Sequence, residues 1–154
     1  IEQPSPGSAK AIQYWQTDTP DARDVILSNS TVDERLDGTD LVVAIGATDD
    51  PKPKIEEFLK NANLNIRASL YLYPQTGPSD TSINEQSAVG FARATKKEMR
   101  HAISQFSPRL IHLFFFGPLG LAVLLGQKMN GLVNIQCYER SKEHIYVPSC
   151  LIQA

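Results

Sequence analysis

Arg109-Leu-Ile-His-Leu-Phe-Phe-Phe-Gly-Pro-Leu-Gly-Leu-Ala-Val-Leu-Leu-Gly126 is the stretch whose reading decides the fold of this chain. It is a buried strand that breaks at Gly117-Pro118 and turns at once into an apolar helix. A strand feeding directly into a helix is a ligand-binding geometry. The first helical turn leaves backbone N–H groups pointing along the axis, and the aligned peptide dipoles add partial positive charge there. Anions, phosphates above all, suit such a place. Pro118 fits the first helical position, where its missing N–H costs nothing, and Gly117 and Gly120 leave room for a close-approaching ligand.

Working outward, the same pattern recurs. Leu41-Val-Val-Ala-Ile45 is a continuous apolar strand, and Asp50-Pro51 supplies an N-cap and first-turn proline for a helix carrying Ile55, Phe58, Leu59 and Ala62. A strand over 68–73 follows, ending in Pro74-Gln-Thr-Gly-Pro78. Ser82-Ile-Asn-Glu85 reads as a capping box opening a long helix, with Ala88, Ala92, Thr95, Met99, Ala102, Ile103 and Phe106 as its inner stripe. Ser107-Pro108 ends that helix. Beyond the apolar helix, which stops at Asn130-Gly131, strands are expected over 132–138 and 144–152. Short strands are also expected over 11–16 and 25–27.

Alternation of strands and helices, with near-continuous apolar strands, indicates an α/β fold: a Rossmann-like, mostly parallel sheet with helices on both faces. Ligands of such sheets sit beyond the carboxyl ends of the strands. Four loops qualify, at 46–50, 74–78, 117–120 and 139–142.

The chain's 154 residues suffice for one domain with a real core. A formal charge of −2, from 15 Lys and Arg against 17 Asp and Glu, leaves no polybasic footprint, so direct duplex binding is not expected. Cys137 and Cys150 lie in apolar strands without Cys-x-x-Cys spacing, which argues against a disulfide scaffold or a zinc site and for buried thiols in a reducing compartment. The apolar run over 110–125 is shorter than the ~18–20 residues that span a bilayer and is interrupted by His112 and Gly-Pro, so no membrane segment is expected. The Pro- and Ser-rich opening, residues 1–10, reads as a linker leaving something upstream, with the folded domain over 11–154.

The residues also resemble a known family, the SAVED domain. The resemblance rests on Ile111-His-Leu-Phe, on Gly117-Pro-Leu-Gly-Leu-Ala-Val with Gly126-Gln127, on Val133-Asn-Ile-Gln-Cys-Tyr-Glu139 and on Tyr146-Val-Pro148. It is tight over the last third of the chain; the middle matches in element order and loop character. The resemblance implies two fused CARF-like units and a cyclic di- or trinucleotide ligand, with no other cofactor. It further implies ligand-dependent homo-oligomerisation and activation of a fused effector, commonly a nuclease, in the cytoplasm of a bacterium defending itself against phage (CBASS). Family members usually have about two hundred residues in this domain, so the present chain is short for it.

Within that picture, phosphates are expected at the backbone of Phe116, Gly117, Pro118, Leu119 and Gly120. Thr48 and Asp49 would bond a ribose or a base edge, and Gln75, Thr76 and Gly77 occupy an equivalent strand exit. Tyr138 either stacks on a purine or is half-buried core. Trp15, the only tryptophan, is a stacking platform in the N-terminal segment, Arg140 is expected to meet ligand, and Arg140 and Lys142 are candidates to meet a neighbouring subunit. Arg93, Lys96, Lys97 and Arg100 read as a solvated helix face, or, if the domain oligomerises as the resemblance implies, as a face that meets a neighbouring subunit.

Catalysis finds little support. His112 in an apolar strand reads as a hydrogen-bonded core histidine, and Gly-x-Gly-x-x-Gly, P-loop and Gly-x-Ser-x-Gly patterns are absent. The alternatives are a phosphodiesterase opening cyclic nucleotides, with His101 or His144 as base, and an interaction module whose apolar helix docks a partner.

Overall fold

In the computed structural model, which describes residues 2–4, 12–14, 25–80 and 83–154, the run after Arg109 is a strand inside a six-stranded sheet. The elements are β1 (Glu2–Pro4), β2 (Ile12–Tyr14), β3 (Leu27–Asp33), β4 (Asp40–Gly46), α1 (Lys52–Asn61), β5 (Ile66–Pro74), α2 (Ala88–Phe106), β6 (Ile111–Phe116), α3 (Leu119–Lys128), β7 (Ile135–Arg140) and β8 (Tyr146–Ile152). β1 and β2 pair as an antiparallel ribbon, and β1 falls within the stretch expected as linker. The other strands form one sheet in the order β3-β5-β4-β6-β7-β8.

The sheet is mixed. β5, β4, β6 and β7 run parallel, whereas β3 and β8 close the two edges antiparallel. The connections explain this: β8 follows β7 through a tight turn, which can only reverse the chain, while the parallel neighbours are joined by helical crossovers. β3 was foreseen only at its start, because Ser28 to Asp33 is a polar edge strand with few buried residues to mark it. Among the described residues the six-stranded sheet is accompanied by the two-stranded β1–β2 ribbon, where the resemblance implied two CARF-like units.

Side-chain alternation divides the core between two faces. Leu41, Val43 and Ile45 of β4, Leu70 and Leu72 of β5 and Ile111 and Leu113 of β6 pack against α2 and α3. Val42, Ala44, Tyr71 and Phe114 face Ile55 and Phe58 of α1. Helices thus cover both faces. Each fully buried large side chain, such as Phe91, Phe114 or Ile55, contributes about 1.5–3 kcal/mol.

Three helix starts differ from expectation. α2 begins at Ala88, because the Asn84 side chain accepts hydrogen bonds from the N–H groups of Gln86 and Ser87 (3.0 and 3.1 Å) and holds 84–87 as a turn; Ser82 lies outside the described residues. Pro118 is the N-cap of α3, with φ −70° and ψ 148°, and so precedes the first helical residue. Its carbonyl accepts from Leu121 and Ala122 at 3.0 and 3.2 Å. The start of α1 has a similar offset: Pro51 is the N-cap, and Asp50 Oδ1 accepts from the Lys52 N–H at 3.0 Å.

The inner stripe of α2 is as expected, with Ala88, Ala92, Thr95, Met99 and Ala102 buried. Both cysteines are free, but Cys150 is exposed rather than buried, since β8 is an edge strand. Among the described residues no helix is long and apolar enough to cross a membrane.

Candidate functional site

The carboxyl ends of β4, β5, β6 and β7 lie along one edge of the sheet, because these strands are parallel. From β4 the chain passes through α1 to β5 on one side; from β5 it returns across β4 to β6 and then β7 on the other. The direction of winding therefore reverses between β4 and β6. A crevice outside the carboxyl ends at such a reversal is where open α/β sheets bind ligands.

The loops meeting there are fixed by backbone bonds. Ala47 and Thr48 both donate to the Phe116 carbonyl, at 2.8 and 3.1 Å, joining the loop after β4 to the end of β6. Ser79 donates to the Ala47 carbonyl at 3.1 Å, bringing in the segment after β5. Gly46 makes the first turn possible: a Cβ there would lie 2.5 Å from the Asp49 carbonyl oxygen and from Pro51. Gly77, at φ +88°, donates to the Pro74 carbonyl at 2.8 Å and turns the chain after β5.

At the centre of the edge Asp49 pairs with Lys54, and Lys54 Nζ lies 5.5 Å from the centroid of the Phe116 ring. The Lys54 hydrogen bond is the main reason that the Asp49 carboxyl sits below its ordinary pKa, with Arg140 adding to it. Asp49, Lys54, Phe116 and Arg140 thus form one cluster. Phe116 meets the edge of Tyr146 at 6.1 Å. Between α1 and the β7–β8 turn runs a groove of about 480 Å³, lined by Lys54, Phe58, Asn61, Arg140, His144 and Tyr146 among others. This edge supplies two cations, an aromatic ring and a helix start, a set suited to holding a phosphorylated, base-bearing ligand.

The expected residues divide accordingly. Thr48, Asp49, Phe116, Gly117, Pro118 and Arg140 gather around the β4–β6 crevice, with Leu119 exposed and Gly120 buried at the start of α3. Gln75, Thr76 and Gly77 share the edge, but at the β5 exit, about 14 Å from the β7 exit at ~4.8 Å per strand. Tyr138 is core: its ring stacks on Phe114 at 4.6 Å, and Phe58 meets its edge at 5.7 Å. Trp15 lies outside the described residues. Lys54 was not foreseen; the signal was its place in the first turn of a helix that follows directly on a strand-end loop.

His112 is 3% exposed, with Nδ1 3.0 Å from the Tyr138 hydroxyl and Nε2 3.3 Å from Asp40 Oδ2, the hydrogen-bonded core histidine that was expected. Burial holds its pKa below the ordinary value against the opposing pull of Asp40. His101 lies in the later turns of α2, away from the carboxyl edge, whereas His144 lines the groove. Arg93, Lys97 and Arg100 are exposed on α2, and Lys96 Nζ donates to the Asn130 carbonyl at 3.2 Å. Among the described residues no group of three or more His, Cys, Asp or Glu converges as metal ligands would.

The profile of the family described as "SMODS-associated and fused to various effectors sensor domain", SAVED, matches residues 8–152. Curated proteins give no match. Among solved structures, the fold is similar to the Acinetobacter baumannii Cap4 SAVED/CARF-domain containing receptor with the cyclic trinucleotide 2'3'3'-cAAA, with a TM-score of 0.76 and 20% identity over 95% of this chain and 31% of that one. The same receptor with 3'3'3'-cAAA gives a TM-score of 0.71 and 22% identity over 95% and 32%. The Moraxella osloensis Cap4 receptor gives 0.61 and 23% over 90% and 28%. The chain therefore spans about a third of the length of these receptors.

Proposed function

The chain belongs to the SAVED family of sensor domains, and from that premise we propose that it is the sensing part of a CBASS-type anti-phage protein, binding a cyclic di- or trinucleotide at the carboxyl edge of its sheet. The observation that carries the reading is the reversal of winding between β4 and β6, where the strand-end loops, Lys54, Phe116 and Arg140 meet. Support comes also from the likeness of the fold to Cap4 receptors whose structures hold cyclic trinucleotides.

In this reading the ligand's phosphates lie against the backbone at 117–120 and are neutralised by Arg140 and by Lys54, which exchanges the Asp49 carboxylate for a phosphate oxygen. The loops at Thr48 and Gln75 read the bases. The domain binds and releases the ring intact; the response belongs to an effector, commonly a nuclease. A ligand shifts a conformational or assembly equilibrium only by its preference for one state, so activation requires tighter binding to the assembled or rearranged form.

The test is thermal unfolding of the chain against cyclic di- and trinucleotides of defined base and linkage. A ring bound only by the folded state at a hundred times its dissociation constant stabilises by about 2.7 kcal/mol. One ring is expected to raise the midpoint, Lys54→Ala and Arg140→Ala to reduce that rise with little change in the unliganded midpoint, and chromatography to recover the ring unopened. Indifference of the midpoint to every ring overturns the proposal, and accumulation of a linear product overturns its non-catalytic part.

A further inference from the structure

Cys137 and Cys150, the chain's two cysteines, are brought face to face by the β7–β8 pairing. Gln136 pairs with Leu151 and Tyr138 with Pro148, so a single β7 residue, Cys137, stands opposite Ser149 and Cys150 in a bulge. The bulge is held firmly. Ser149 Oγ donates to the Cys137 carbonyl at 3.3 Å, and Gln136 Nε2 donates to the carbonyls of Cys137 and Cys150 at 3.0 and 3.1 Å. Residues facing each other on antiparallel strands have Cα atoms about 4.5–5.5 Å apart, within the ~4.4–6.8 Å that a disulfide spans.

The side chains converge as well. Both cysteines line one cavity of about 280 Å³ beneath α3, walled by Leu113, Phe115, Leu125 and Met129. Both are free, Cys150 exposed on the edge strand and Cys137 half-buried behind it. Burial pushes the Cys137 thiol up to about 12, and the Cys150 thiol beside it adds to the shift. Cys137 is therefore a poor first nucleophile, and Cys150 is the thiol that an oxidant in solution reaches.

We propose that Cys137 and Cys150 form a reversible thiol–disulfide site, closed by hydrogen peroxide and reopened by a dithiol reductant. The Cys150 thiolate attacks peroxide; an S–O bond forms, the O–O bond breaks, and hydroxide leaves to become water. The Cys137 sulfur then attacks the sulfenic sulfur of Cys150; the S–S bond forms, the S–O bond breaks, and the departing hydroxide takes the Cys137 proton. Two thiols are oxidised, and one peroxide is reduced to two waters. The loop so closed carries Arg140, His144, Ile145 and Tyr146, the whole β7–β8 wall of the groove against α1. Oxidation thereby clamps one wall of the candidate site without touching its cations.

The experiment treats the purified chain with hydrogen peroxide, alkylates it under denaturing conditions and digests it with trypsin. The expected result is a monomeric chain lacking two hydrogens and taking no alkyl label. Its tryptic peptides 129–140 and 143–154 should be joined, and dithiothreitol should separate them. Slower amide exchange over 138–147 is expected in the oxidised form alone. Cys150→Ser, at an exposed position, should abolish the link and the slowing while leaving the reduced fold intact. Full alkylation after peroxide, or a link found only between two chains, overturns the proposal.

Discussion

His112 shows how one side chain is fixed from both directions. An Asp40 carboxylate only accepts hydrogen bonds, so Nε2 carries the proton, and Nδ1 is left to accept from the Tyr138 hydroxyl at 3.0 Å. Burial is the larger influence on its pKa and favours the neutral ring over the charged one. The sign follows. The unfolded chain, with the ordinary value of 6.5, binds a proton that the folded chain refuses, so this contribution to stability is full above about pH 6.5 and is lost as pH falls toward the lower folded value. Urea unfolding at pH 7.5 and 5.5 should show the native chain losing more stability on acidification than His112→Gln; equal losses would refute the assignment. The histidine was legible in the sequence as a polar residue within an apolar strand. Its partners were not, since Asp40 lies 72 positions away and Tyr138 lies 26.

Among the elements, α1 depends most on a single anchor. Its polar sequence buries only Ile55 completely, and Phe58 reaches from it to the edges of Phe114, Tyr138 and Tyr146 at 5.4, 5.7 and 5.7 Å. Edge-to-face pairs of this kind add about 0.5–1.5 kcal/mol beyond the area they bury. Phe58→Ala should therefore cost about 3 kcal/mol, at the low end for a core phenylalanine because Phe58 is half-buried, and should deepen the adjoining groove. Chemical denaturation measures the cost; a loss below ~1 kcal/mol would mean that α1 is held by something else. Elements with strong apolar periodicity, β4, α2, β6 and α3, were readable in advance. β3 was not, because an edge strand buries few side chains and gains its place from backbone pairing with β5.

At the scale of the whole molecule, the chain accounts for about a third of the length of the Cap4 receptors that it resembles. A ring ligand bound as proposed, at the carboxyl edge of the six-stranded sheet, would keep one side open for a second unit to cover. The prediction at this scale is ligand-dependent self-association: light scattering should show a higher mass with the selected ring than without it. An unchanged mass at saturating ligand would refute it. Leu119, 77% exposed, and Val123, 42% exposed, lie one helical turn apart beside the candidate edge and are the residues expected to lose solvent contact on assembly.

The sequence by itself determined the class of fold, the strand that turns into a helix at Gly117-Pro118 and the burial of His112, because these depend on local periodicity and turn chemistry; the family was legible as a resemblance, carried by the particular residues over 111–148. Only the tertiary structure decided the order of the strands, and with it the reversal of winding between β4 and β6. It also brought Lys54 over Phe116 and beside Asp49, turned Tyr138 into a core ring and set Cys137 against Cys150. The reason is physical: strand order and cross-strand register are settled by packing between residues far apart in the chain, and that packing carries no local signature.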